Sequence, residues 1–120
     1  MYMANRNPLL NGITDLLILD ILSVEDSYAY EIEKTIQELS NETLSIPLNT
    51  VYTAIYKLER EGYITEYSKL VGRKRTRIYY HLEESGVAYV SELLENYHNL
   101  TTSVLATLKA IEGTKGNAKE

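Results

Sequence analysis

The stretch SIPLNTVYTAIYKLEREGYITEYSKLVGRKRTRIYYHL, residues 45–82, changes its hydrophobic period halfway along, and that change decides the fold. In its first half Val51, Ile55 and Leu58 recur at intervals of four and three, with Tyr52 and Tyr56 beside them, which predicts a helix. Pro47 suits the approach to that helix and cannot sit in its middle, and Glu61-Gly62 marks the stop. In the second half the period falls to two. Residues 63–70 and 76–82 are rich in β-branched and aromatic side chains and predict two strands. Between them lies Val71-Gly72-Arg73-Lys74-Arg75, a glycine-bearing turn with three consecutive positive charges. A helix is thus followed by a β-hairpin with a basic tip.

Upstream of this stretch two more helices are predicted. After Asn11-Gly12, the residues Ile13, Leu16, Leu17 and Ile21 keep a spacing of three and four. Ser23–Ser27 is polar and acidic and reads as a connection. A second helix is expected from about Tyr28 to Leu39, with Ile32, Ile36 and Leu39 facing inward, and Ser40-Asn41-Glu42 breaks it. Downstream, from Glu83, the helical period returns. Val90, Leu93, Tyr97, Leu100 and Val104 fall at heptad spacing, and Leu94, Leu105, Leu108 and Ile111 widen the stripe. Such a helix is too long to lie wholly against three short ones, so its surplus stripe needs a partner, most simply a second copy of the chain. The expected organisation is a first domain over 1–82, a C-terminal dimerisation helix over 83–113 and a small, polar, flexible tail over 114–120.

Composition sets the limits. A chain of 120 residues, 44% hydrophobic and 24% charged, fits one soluble domain with a single appended element. It has no cysteine, which excludes disulfides, thiolate zinc sites and a cysteine nucleophile. Neither a signal peptide nor a membrane-length apolar run is legible, so a cytoplasmic location away from the membrane is expected. The net charge of −5 looks unfavourable for nucleic acid, but it is unevenly spread. Between Lys57 and Arg77 seven basic residues stand against three acidic ones, a local +4 that leaves −9 for the rest of the chain. Segregation of this kind places a positive surface on an acidic body, although a basic run can also be a solvated loop.

Three helices followed by a hairpin is the plan of a winged helix-turn-helix, a mainly α fold with a β-hairpin wing. A helix fits the major groove, where every base pair presents its own pattern of donors and acceptors. A basic hairpin beside it reaches the backbone or the minor groove. Asn49, Thr50 and Thr53 offer short polar side chains at the start of the third helix. Lys57 and the cluster Arg73, Lys74, Arg75 and Arg77 offer charge to phosphates. Each has an ordinary alternative: Asn49 and Thr50 could cap the helix, and Arg77 could pair with Glu66 across the hairpin. The reading is a protein that binds double-stranded DNA and regulates transcription as a homodimer, with no cofactor.

Three blocks of the chain resemble the PadR family of bacterial regulators. They are Tyr28-Ala29-Tyr30-Glu31-Ile32, then Asn49 through Ile64, then Arg77-Ile78-Tyr79-Tyr80-His81-Leu82-Glu83-Glu84-Ser85-Gly86. The resemblance covers about residues 9–86 in the right order, and Ala29 stands where the family usually has glycine. It implies DNA contacts from Tyr30, Asn49, Thr50, Tyr52, Thr53 and Lys57, and from Arg73, Lys74 and Arg75 of the wing; Tyr52 could equally be a packing residue. The single C-terminal helix is similar to that of the small subfamily, whose members pair through that helix and the first one. This implies an interface of Leu9, Ile13, Leu16, Val90, Leu93, Tyr97, Leu100, Val104 and Leu108. It also implies a repressor released by a signal, with a hydrophobic or aromatic small-molecule effector held near Leu93, Tyr97 and Leu100, where a plain dimer core is the alternative.

All eleven aromatic residues are tyrosine, a side chain suited to half-wet surfaces. Catalysis finds little support: His81 and His98 have no metal-ligand neighbour at useful spacing, and Gly72 stands alone rather than in a phosphate loop. A winged-helix protein–protein interaction module is the other alternative, against which the basic tip argues.

Overall fold

In the computed structural model, which describes residues 12–118, the elements follow the order α1 (Ile13–Val24), β1 (Ser27–Tyr28), α2 (Ala29–Leu39), α3 (Leu48–Arg60), β2 (Ile64–Leu70), β3 (Thr76–Leu82) and α4 (Glu84–Ala118). The chain divides after Val90 into two units. The first contains everything up to the opening turns of α4.

Within that unit α1 is apolar on nearly all sides, and it lies at the centre of the packing. Ile18 and Leu19 are fully enclosed, with Leu16 and Leu22 nearly so. The other two helices are amphipathic. Ile32 and Ile36 of α2 turn inward, as do Val51, Ile55 and Leu58 of α3. Leu39, expected on the inner face of α2, is instead 79% exposed. It is the last helical residue, and the backbone turns away after it: Asn41 and Glu42 adopt left-handed φ angles of 54° and 65°. The amide of Glu42 reaches back to the carbonyl of Gln37 at 2.8 Å and that of Asn41 to Glu38 at 3.1 Å, which closes the helix.

The third helix ends in the same way on better-suited residues. Tyr63 N–H donates to Leu58 and Gly62 N–H to Glu59, both at 3.0 Å, with Gly62 at φ 84°. A side chain there would strain the backbone, so the Glu61-Gly62 stop is a conformational requirement. Directly after it the chain enters β2.

The sheet has three strands in the order β1-β3-β2, all antiparallel. The hairpin register pairs Ile64 with Leu82 and Leu70 with Thr76, matching the two strands expected from the period-two pattern. Ile64, Tyr80 and Leu82 point into the core, while Thr65, Tyr67, Tyr79 and His81 form the outer face. The short β1 is new. Its two residues pair Ser27 with Tyr80 and Tyr28 with Tyr79, and α2 begins one residue later at Ala29, with Tyr28 as its N-cap.

The join between hairpin and α4 is tight. Glu83 N–H donates to the carbonyl of Tyr63 at 2.9 Å, Ser85 Oγ donates to that of Gly62 at 2.8 Å, and the rings of Tyr63 and Tyr89 stack at 4.2 Å. Residues 84–90 therefore group with the first unit, which runs through Val90. Val90 is only 5% exposed there.

The second unit is the remainder of α4. Its helical geometry runs on through Ala118, past Gly113 and Gly116, where a flexible tail is expected from the sequence. Isolated glycines cost a helix about 1 kcal/mol each and do not end it, and no proline follows. Along this unit Tyr97, Leu100, Val104, Leu105, Leu108 and Ile111 are all exposed. No helix of the described residues is long and apolar enough to cross a membrane.

Candidate nucleic-acid interface

Because Val51, Ile55 and Leu58 fix one side of α3 in the core, the opposite side must face outward. Asn49, Thr50, Thr53, Tyr56 and Arg60 occupy it. Pro47 precedes the helix and no side chain caps it, so Asn49 and Thr50 are not held as caps. Thr53 donates its hydroxyl to the carbonyl of Asn49 at 2.9 Å. What it presents outward is therefore a methyl group and an acceptor oxygen. Tyr56 is 55% exposed and stacks on the half-buried Tyr52 at 5.8 Å. Tyr52 thus serves as packing for a more exposed ring. Tyr30 is exposed on the first turn of α2.

Lys57 departs from expectation. It forms an ion pair with Asp15 in the first turn of α1 instead of standing free for a phosphate. Asp15 is one of the buried polar residues, and a buried carboxylate requires a partner. Its hydrogen bond raises the pKa of Lys57, with burial opposing, so the lysine is fully charged and engaged. No pattern in the sequence marks a pairing across 42 positions.

The wing ends in a closed turn in which Val71 N–H donates to the Arg75 carbonyl at 2.9 Å. Arg73, Lys74 and Arg75 are all exposed, and among the described residues neither ion pair uses a wing cation. Arg77 is the second residue of β3, next to the wing's tip. The register places it opposite Lys69 and sets Glu66 opposite Tyr80, which overturns an Arg77–Glu66 pair. Its guanidinium instead covers the ring of Tyr28 at 4.1 Å, and Lys69 sits 4.9 Å from the ring of Tyr79.

A second contact missed by sequence reasoning ties β1 to the hairpin. Asp26 accepts from Tyr67 Oη at 2.7 Å and lies 2.9 Å from His81 Nδ1. Burial pushes the Asp26 carboxyl up, but the hydrogen bonds of Tyr67 and His81 outweigh it and hold it below its usual range. The same bond raises His81. This is a structural clamp on an outer sheet face, and among the described residues no cluster of three metal-binding side chains exists.

Of the residues expected at an interface between copies, Leu9 lies outside the described residues. Leu16 and Val90 are buried in the first unit's own core, because α1 and the first turns of α4 are packed there. Ile13 and Leu93 are half-buried, and Tyr97, Leu100, Val104 and Leu108 are exposed.

Comparison with known proteins agrees with this architecture. Residues 18–92 match the sequence model of the Transcriptional regulator PadR-like family. A transcriptional regulator from Clostridium thermocellum is 34% identical, with a TM-score of 0.75 over 84% of this chain and 94% of that one. Bacillus subtilis PadR, solved in complex with operator DNA, is 26% identical with a TM-score of 0.63, over 68% of this chain and 46% of that longer one. An uncharacterised protein from Lysinibacillus sphaericus is 28% identical over 89% of this chain and 98% of its own length.

Proposed function

This chain belongs to the PadR-like family of transcriptional regulators, and on that premise we propose that it binds double-stranded operator DNA as a homodimer and acts as a repressor. The observation that carries the reading is the outward face of α3. Asn49, Thr50 and Thr53 stand on a helix anchored by three fully buried residues, next in sequence to a wing with three exposed cations. Short polar side chains at the start of a helix suit base edges in the major groove, and wing cations suit the backbone or minor groove. Tyr56 on that face and Tyr30 on α2 are exposed phenols able to donate to phosphate. The relationship to a protein solved on operator DNA supports the same reading.

The homodimer is supported by α4. An isolated helix gains little stability from propensity alone, and one with Tyr97, Leu100, Val104 and Leu108 on its surface has apolar area to bury. A second copy supplies the matching stripe. Repression follows if the bound dimer excludes polymerase from the promoter.

Selection of tight-binding duplexes from a random library, with the mass of the complex measured alongside, tests this. The expected product is an inverted repeat with half-sites about 10 base pairs apart, bound by two chains. Thr50→Ala should then lose about 1–3 kcal/mol of discrimination at one base position. Failure to enrich any sequence would sink the reading.

A further inference from the structure

The ion pair between Lys57 and Asp15 joins the core to the face of α3 that reads DNA. Lys57 follows Thr50 and Thr53 by seven and four positions, so all three lie on one side of the helix. Thr50, Thr53, Lys57 and Asp15 line a single open depression of about 530 Å³ between the start of α1 and α3. The two partners are unequally placed: the side chain of Lys57 is 43% exposed and that of Asp15 only 12%. The ammonium thus stands at the surface, while the carboxylate that holds it is set in the structure. Releasing the lysine would leave a nearly buried charge uncompensated, which opposes release.

We propose that Asp15 is a specificity-determining positioning residue, which withholds the charge of Lys57 from the DNA backbone so that the outward face of α3 discriminates between sequences without adding sequence-independent attraction. The proposal rests on the DNA-binding reading above. With Lys57 engaged, the outward residues from Asn49 through Tyr56 are uncharged, and the first cation on that face is Arg60 at the far end of α3. A free lysine one turn from Thr53 would neutralise a phosphate on any duplex. Operator and random DNA would both be held more tightly, and the ratio between them would shrink.

The test is a salt titration of full-length chain on the selected operator and on a random duplex. Asp15→Asn frees Lys57 and should steepen the slope of log K against log salt by about 0.9. Random-duplex binding should tighten roughly threefold to tenfold at low salt and the operator-to-random ratio should fall. The double variant Asp15→Asn with Lys57→Met leaves neither a freed ammonium nor a buried unpaired charge, and its slope should return to the parental value. A parental slope in Asp15→Asn overturns the proposal. So does a double variant whose slope lies about 0.9 below the parent, since Lys57 would then be contacting phosphate in the parental complex. Circular dichroism confirms that both variants are folded before the titration. If the parent itself shows no salt-dependent binding to either duplex, the DNA reading fails and this proposal with it. A binding parent with either overturning slope defeats the role of Asp15 alone.

Discussion

The outward face of α3 and the tip of the wing are both polar and both exposed, yet they are built in opposite ways. Asn49, Thr50 and Thr53 project from a helix whose other side, Val51, Ile55 and Leu58, is 0% exposed, so their directions are set by the core. Arg73, Lys74 and Arg75 sit on a turn closed by one backbone hydrogen bond and project into solvent. Reading base edges requires donors and acceptors at fixed positions, whereas attracting phosphate requires only charge within a Debye length of about 8–10 Å. The more rigid surface therefore suits discrimination, and the less constrained one suits affinity.

The largest expected effect breaks that division at the wing. Replacing Arg73, Lys74 and Arg75 together with alanine should weaken binding to every duplex by about a hundredfold at moderate salt and flatten the salt slope by about 2.7. The ratio of operator to random binding should barely move, and the melting temperature should stay near that of the parent, because these side chains pack on nothing in the first unit's core. A salt-dependent binding assay on both duplexes decides it. A collapse of the ratio would mean that the wing reads sequence.

A smaller effect is expected at the point where the two regions are joined. Gly86 lies on the first turn of α4, and a Cβ built there would stand 2.3 Å from the Tyr63 carbonyl oxygen and 2.5 Å from Leu82 Cδ1. Tyr63 follows the end of α3 directly and Leu82 ends β3, so one methyl group would push on both. The obstruction is partly backbone and cannot rotate away. Gly86→Ala should cost about 1–3 kcal/mol and lower the melting point by several degrees, read by thermal unfolding. The wing charges are untouched, so the salt slope of the folded variant should match the parent. Unchanged stability would show that the join tolerates movement.

The three helices, the hairpin and the stop at Glu61-Gly62 could be read because each rests on a local signal: a period, a proline, a glycine. The wing cations could be read because charge clusters are visible without knowing any contact. Nothing in the sequence singles out Asp15, because only tertiary packing buries it beside Lys57, 42 residues away. The two-residue β1 is too short to show a period, and Asp26 reaches Tyr67 and His81 only through it. Leu16 and Val90 kept the right spacing for an interface, but spacing says which side a residue is on and not what covers that side.

The smallest expected effect concerns a carboxyl pair linking the two regions through their bases. Glu59 is on the last turn of α3 and Glu66 is on β2. Burial first, and then the hydrogen-bonded carboxyl of Glu66, push the Glu59 pKa up to about 7 from its ordinary 4.5. An acid whose folded pKa is raised holds its proton more tightly when folded. Its contribution to stability is complete below the unfolded pKa and is lost as pH rises through the folded one. The window therefore runs from about 4.5 to about 7. Glu59→Gln keeps the hydrogen bond and removes the titration. The variant should match the parent near the bottom of that window and exceed it at pH 8 by an amount on the order of 1 kcal/mol, after allowance for solvent screening. His81 also loses its hold on Asp26 as pH rises, because its raised pKa is passed in the same direction. The difference between parent and variant, measured by denaturant unfolding at each pH, thus isolates Glu59, since the His81 loss is common to both. Parallel curves would mean that Glu59 is ionised at no cost, and that the base of the wing and the end of α3 are not electrostatically opposed.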